Sequence, residues 1–458
     1  MKRHYSIDMT TGSITKKLIQ FVLPLMASLL LQQLYNAADK AVVGQYAENG
    51  ELALAAVGAT GSPTSLILNL VFGISAGAGI ISANLLGGKQ EEALRRNMHT
   101  TVAVGLVSGV LLMIVGICVA RPLLILMSCP ENVLDTAVLY MRIYFVGMPA
   151  TMLYNFASGI LRTFGDSRRP MIILGVSGLA NVALNFVFVV GFHMSVAGVA
   201  WATTIAQIIS TIWILWILFS KKDAYKMSFR ELNLYPKEVL TILRVGIPCG
   251  LNGVVFSIAN VTLQSTINTW GDMTIAGAAA SDSITNISYQ VLSAFYTATM
   301  TFAGQCYGAG KIRRIRKLLL CSTVICMGIM AFVAIIATVM PNTMIGIFNS
   351  NPEVLKAGAQ KLLTVSWGYV IYAFSETLTG CLRGMRKNVI PTAINTACAC
   401  VFRVIWVAFI YPLYPHVWFL YFCYICSYVL SLACMLPYYF WHIKKLERSH
   451  PMIEQNTV

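Results

Sequence analysis

The sequence predicts an all-α integral membrane protein with twelve transmembrane helices in two six-helix lobes. Three observations predict it. Of its 458 residues, 57% are hydrophobic and only 11% are charged, which is not the balance of a soluble domain. Apolar runs recur along nearly the whole chain at the length a helix needs to cross a bilayer, about 20 residues, rather than as the short alternating segments of a barrel. Basic residues gather in every second connection, as the positive-inside rule requires of a multi-span protein.

The apolar runs place the spans at roughly 18–46, 53–86, 96–120, 134–160, 170–191 and 196–219, then 240–268, 275–305, 317–340, 355–382, 390–411 and 417–441. Lys and Arg fall in residues 2–17, 89–96, 162–169, 221–244, 311–317, 383–387 and 444–448, which together hold 27 of the 33. An even number of spans puts all these clusters and both termini on one face, the cytoplasmic face of the plasma membrane. An odd count would destroy the alternation. The net charge of +15 is explained by this pattern and needs no nucleic-acid partner. The N-terminus, MKRHYSIDMTTGSITKK, is polar and basic, so no cleaved signal peptide is expected. The twelve cysteines include Cys118, Cys321, Cys326, Cys398, Cys400, Cys423 and Cys426, all inside apolar spans. They read as small packing residues, without disulfide, metal or cofactor framework.

The longest polar connection, Ser220 to Glu238, divides the spans six and six. The expected organisation is a cytoplasmic N-terminus (1–17), an N-lobe (18–219), a cytoplasmic linker (220–239), a C-lobe (240–441) and a cytoplasmic tail (442–458). The halves share landmarks. GILRTFGDSRRP at Gly159–Pro170 matches GCLRGMRKNVIP at Gly380–Pro391, with Arg162 and Arg383 as partners 221 residues apart. GGK at Gly87–Lys89 matches GAGK at Gly308–Lys311, and Pro24 matches Pro248 at an offset of 224. Six spans per half keep equivalent helices in the same orientation, so these are parallel repeats suited to alternating access.

The first span carries an acid, Asp39. As a helix it sets Gln32, Asn36 and Asp39 on one face. A carboxylate facing lipid would cost roughly 2.5–3.5 kcal/mol on insertion scales, so this face is expected to look into protein or a wet cavity. A sheltered carboxyl is able to take up and release a proton, and a polar shell around it could bind a cation. A packing cluster, or a local pair with Lys40, is the alternative. In the fifth span Asn181 and Asn185 stand one turn apart, a spacing equally suited to ordinary interhelical hydrogen bonds. In the tenth, Tyr369, Tyr372, Glu376 and Thr379 share a face, and Glu376 is the repeat partner of Asn155. Its alternative role is a salt bridge with Arg383 or Arg403. Asp282 opens the eighth span and reads as a wetted acid. Asn260 and Gln264 in the seventh are candidates to line a cavity, or to bond between packed helices.

Taken together, NAADKAVVGQ (Asn36–Gln45), GGK, LRTFGD, GAGK and LRG, in this order and duplicated, resemble the multidrug and toxic compound extrusion (MATE) family over about residues 14–445. The resemblance implies a MATE-like fold and a secondary antiporter that exports amphipathic, often cationic, small molecules in exchange for protons or sodium ions. It implies an N-lobe cation site at Asp39, Asn155, Asn181, Asn185 and Thr203. Asn185 stands where some members carry an aspartate, which leaves Asp39 the one evident carboxylate of that site. In the C-lobe the family's helix-7 glutamate is missing, and Glu376, with Tyr372 beside it and Asp282 behind it in rank, is the candidate for cation or substrate binding. A monomer whose partners are its substrates and membrane lipids is expected. A flippase for lipid-linked intermediates is the alternative; it would want basic residues inside the spans, where only Arg142 and Arg403 are evident. No HExxH, nucleophile elbow or P-loop is present, so no enzyme activity is expected.

Overall fold

A computed structural model of the chain describes residues 7–47, 49–127, 129–220 and 227–449. Of the basic clusters, Lys2, Arg3, Lys221, Lys222 and Lys226 lie outside the described residues, as do parts of the expected termini and linker.

The described residues form twelve long helical segments. They are α1 (Ile14–Tyr46), α2 (Gly50–Gly87), α3 (Glu91–Leu126), α4 (Glu131–Val146 and Met148–Thr163), α5 (Arg168–Gly191) and α6 (Ser195–Phe219), then α7 (Pro236–Ile267), α8 (Asp272–Gly308), α9 (Ile312–Val339), α10 (Pro352–Gly384), α11 (Val389–Leu413) and α12 (Val417–Ser449). These are the twelve spans read from the sequence, with several edges moved outward; α1, for example, starts at Ile14. The two arms of α4 meet at Gly147 with a bend of 46°. Side chains such as Leu179, Ile212, Trp216, Leu320, Phe332 and Phe409 stand outward and exposed. That surface suits acyl chains, where only a helix or a closed barrel satisfies its own backbone.

By length and apolarity nine of these helices could each cross a bilayer, or ten with the bent pair counted as one span. The two that fall short are α8 and α10. Part of their polar complement is turned inward: Thr285, Ser288, Thr299 and Gln305 of α8 and Ser375, Thr377 and Thr379 of α10 are all buried. The Thr323 and Thr377 hydroxyls bond at 2.8 Å, and Thr379 donates to Ser375 O at 2.7 Å. The pair runs parallel in close contact. A Cβ on Gly380 would lie 2.6 Å from Tyr296 O, and one on Gly384 2.5 Å from Met300 O. Only glycine permits that approach.

The chain divides into two compact units. One contains Leu23–Ser82 and Gln90–Gly250. The other contains Met9–Val22, Ala83–Lys89 and the described residues from Leu251 onward. In the first, Gly73 and Gly77 of α2 lie against Gly250 and Gly246 of α7; a Cβ on Gly73 would fall 2.0 Å from Gly250 N. The repeat is visible in the backbone of the two sequence halves. Gly165 and Arg386 both adopt positive φ (81° and 62°), as do Lys89 (54°) and Gly310 (69°), each pair 221 residues apart. α5 ends in a π-helical stretch, Phe186–Gly191, and α11 carries one at the equivalent place, Trp406–Ile410.

In the second unit the segment before α1 is clamped. Met9 is fully buried and its N–H donates to Gln305 Oε1 at 3.2 Å. Arg314 donates to the carbonyls of Met9 (3.0 Å), Thr11 (2.7 Å) and Gly12 (2.8 Å), and Lys311 to that of Thr10 (2.9 Å). Arg314→Ala removes three donors to backbone at once. Hydrogen–deuterium exchange of residues 9–12 should then speed up by about tenfold, while α5 and α6 keep their protection. Unchanged exchange in this segment would refute the clamp.

Candidate functional site

Asp39 lies on α1 at 8% exposure, turned toward α5 and α6. Its position is fixed one turn earlier. Tyr35 lays its ring in the notch left by Gly178 of α5, where a Cβ would fall 1.8 Å from the ring, and its hydroxyl donates to Gly175 O at 3.1 Å. One turn later Val42 and Val43 join Val189, Val196 and Val199 in an apolar cluster. Asp39 is thus the polar rung between an aromatic lock and a valine-rich cap.

Asn185 Nδ2 donates to Asp39 Oδ1 at 2.6 Å, and Thr203 Oγ1 donates to Asp39 Oδ2 at 3.2 Å. Asn181 completes the ring. Its Nδ2 donates to Thr203 Oγ1 at 3.3 Å, and its Oδ1 accepts from Asn185 Nδ2 at 3.4 Å. Asn181 and Asn185 are both buried. Asn185 stands at the last α-helical turn before the π-helical stretch, a widening that recurs at functional positions in helices. The Oδ1 of Asn185 is buried and finds no donor. One spare acceptor therefore adjoins the carboxylate. Carboxylate, amide and hydroxyl oxygens are the donor set of a proton or a small hard cation.

The structure brings four of the five N-lobe candidates together: Asp39, Asn181, Asn185 and Thr203. Asn155 is half-buried and spends its Nδ2 on Thr151 O at 2.8 Å, one turn back in its own helix. Gln32 and Asn36 stand exposed on α1 and take no part in the bonds around Asp39. Contacts of the fifth and sixth helices with α1 fall at Leu31, Tyr35, Asp39, Val42 and Val43. Asn260 and Gln264 are exposed on α7, and Gln264 bonds Asn268 at 2.9 Å. Sequence reasoning missed Tyr35, and also Tyr140 and Tyr144. These last two, stacked one turn apart on α4 with centroids 6.2 Å apart, lie within electrostatic reach of Asp39. The signal was present as tyrosines at i, i+4 in an apolar span.

The second unit holds no copy of this constellation. At the repeat offsets, Asp39, Asn181, Asn185 and Thr203 correspond to Leu263, Phe402, Trp406 and Tyr424. These pack together in one apolar cluster. The polar chemistry of this unit lies elsewhere. Glu376 is half-buried, with the Tyr372 hydroxyl as its hydrogen-bonding neighbour and Tyr289 and Arg383 close enough to feel its charge. Arg383 donates to the Tyr296 hydroxyl at 2.6 Å and to Thr392 Oγ1 at 3.3 Å. Tyr372 stacks on Tyr428 at 4.3 Å between centroids. Asp282 is half-exposed, as a wetted acid would be, but it has a partner: the buried ammonium of Lys361, at 2.6 Å. Among the described residues no group of three or more His, Cys, Asp or Glu side chains could hold a metal ion.

The MatE family profile matches residues 24–187 and 248–409, one match in each half. A probable multidrug resistance protein, YoeA, of Bacillus subtilis is 25% identical over 392 residues, 84% of each chain. A probable multidrug resistance protein, NorM, of Thermotoga maritima is 24% identical over 401 residues, 86% of this chain and 84% of its own. The fold is that of a multidrug resistance MATE transporter of the MOP superfamily solved in an outward-facing conformation, with a TM-score of 0.89 at 22% identity over 98% of this chain and all of that one. Two profile matches in register with the repeat, across most of the length, settle the membership: the chain belongs to the MATE family of multi-pass membrane transporters.

Proposed function

We propose that this protein is a cation-coupled antiporter that exports amphipathic, often cationic, small molecules by alternating access, with Asp39 as the coupling group and the proton as its ion. The observation that carries the reading is the sheltered carboxylate of Asp39, held by Asn185 and Thr203 beside a spare amide oxygen. An acid kept from lipid at such a cost is a functional group by default. Its neighbours supply bonds that persist whether or not a proton is present. Sodium is the alternative ion for the same oxygens. The protein acts as a monomer in the plasma membrane, with both termini in the cytoplasm. The relatives named above carry multidrug-resistance descriptions and give no support to a lipid-linked flippase.

The test is transport in proteoliposomes under separately imposed proton and sodium gradients with a small panel of cationic dyes and drugs. A pH gradient alone should drive export. Strict dependence on sodium at zero pH gradient would replace the proton as the ion, and transport indifferent to both gradients would refute antiport.

A further inference from the structure

His99 lies near the start of α3 at 1% exposure. Both of its ring nitrogens are engaged. Nδ1 stands 2.7 Å from Arg95 O, one turn back in the same helix. Nε2 stands 3.1 Å from Ser228 N. These partners fix the state of the ring. A carbonyl only accepts, so Nδ1 carries the hydrogen; a backbone N–H only donates, so Nε2 is bare. The imidazole is therefore neutral while it holds Ser228.

Ser228 belongs to the long polar connection that follows α6. Few groups seat this segment on the first unit. Met227 is buried, Phe229 stacks on Phe219 with centroids 3.8 Å apart, and Glu231 pairs with Arg95. The other carboxylate oxygen of Glu231 lies 3.6 Å from His99 Nε2. Around this end of α3 the remaining charged groups are Arg96, paired with Glu92, the exposed Arg230, and Arg162 on the arm of α4 packed against α3. α2 meets α3 here through the uncharged Ser82, which accepts from Asn97 at 2.7 Å. A protonated imidazole has a donor at both nitrogens. Its Nε2–H would point at the Ser228 N–H, donor against donor, with the Glu231 carboxylate as the acceptor at hand. An amide or carbonyl oxygen in place of Nε2 would seat Ser228 at every pH. An imidazole makes the seat conditional.

We propose that His99 is a proton-operated latch for the connection between the two sequence halves. Neutral, it accepts from the Ser228 N–H. Protonated, it lets that amide go and turns to the Glu231 carboxylate. The protein thus responds to protons at a point separate from Asp39, on the face proposed as cytoplasmic. The bearing on transport rests on the export reading: acidification of the cytoplasm would change how the joining segment is held. The exchange of partners itself needs no gradient, so the two fail separately.

The test uses the full chain in nanodiscs. Hydrogen–deuterium exchange of residues 227–232 is measured at about pH 8 and about pH 5.5, the span over which an imidazole changes charge. It is expressed as protection relative to the free peptide, which removes the intrinsic effect of pH on exchange. In the wild type the Ser228 amide should lose protection by about tenfold at the lower pH, the worth of one hydrogen bond. His99→Gln, whose amide oxygen accepts at either pH, should show equal protection at both. His99→Phe, which fills the site without an acceptor, should show the low value at both. Protection of α5 and α6 should be the same in all three proteins, which shows that the variants are folded. Wild-type protection that does not change with pH overturns the proposal whatever the variants do. So does a His99→Gln protein that keeps the wild-type pH dependence.

Discussion

Asp39→Asn is expected to reduce gradient-driven export to the level of empty liposomes while the protein keeps its fold. The two side chains have the same shape. In the variant the new amide oxygen still accepts from Asn185 Nδ2, and the new amide nitrogen faces Thr203, whose hydroxyl can accept as well as donate. The lock of Tyr35 in the Gly178 notch does not depend on the charge. Thermal unfolding should therefore move by only a few degrees. What is lost is the one group in this cluster that exists in two protonation states or offers a full charge to a cation. Without it, moving the substrate uphill has no source of energy, although exchange of substrate at equal concentrations can persist. Dye transport should be measured in proteoliposomes with a pH gradient and again in counterflow. Normal uphill transport by the variant would remove Asp39 from the mechanism.

A large effect on stability is expected at Asp282, and it should be one-sided. Lys361 is 2% exposed and bonded to Asp282 at 2.6 Å, whereas the Asp282 side chain is 44% exposed. Asp282→Asn strands an ammonium in the interior. Breaking a buried pair from one side costs roughly 3–5 kcal/mol. The lower end applies here, because water reaches the acid and the Tyr421 ring lies 5.7 Å from the Lys361 nitrogen. Lys361→Met leaves only a half-solvated carboxylate and should cost far less. The double variant should recover most of the stability lost in Asp282→Asn. Thermal unfolding in detergent reads all three. If Asp282→Asn proved as stable as Lys361→Met, the ion pair would have no structural weight.

Much of the fold was legible because a bilayer imposes its own grammar. Each crossing needs an apolar helix and each cytoplasmic turn attracts Lys and Arg, so length, number and repeat could be read without a structure. Even α8 and α10, too polar to pass the length-and-apolarity test as isolated helices, were placed as apolar runs, and the alternation of basic turns supports the even count. The N-lobe site was legible as far as residue type reached: an acid and asparagines in apolar spans. Which neighbour covers which side of a helix was not. Gln32 and Asn36 share a stripe with Asp39 in sequence but stand exposed, because covering is decided by α5 and α6 and not by α1. The ion pair of Asp282 with Lys361 spans 79 residues and has no local trace. Tyr35 was hidden for the same reason, since its partner is the absence of a side chain at Gly178.

The apolar cluster of Leu263, Phe402, Trp406 and Tyr424 carries a consequence for how this duplicated architecture divides its labour. Two copies of the scaffold do not make two copies of the engine. The first half keeps a sheltered carboxylate, Asp39, where the second has solid aromatic filling. The second places its own charges, Glu376 and Arg403, at positions whose counterparts are the neutral Asn155 and Val182. Each half is thereby free to diverge in its chemistry, one around Asp39 and the other around Glu376 and Arg403.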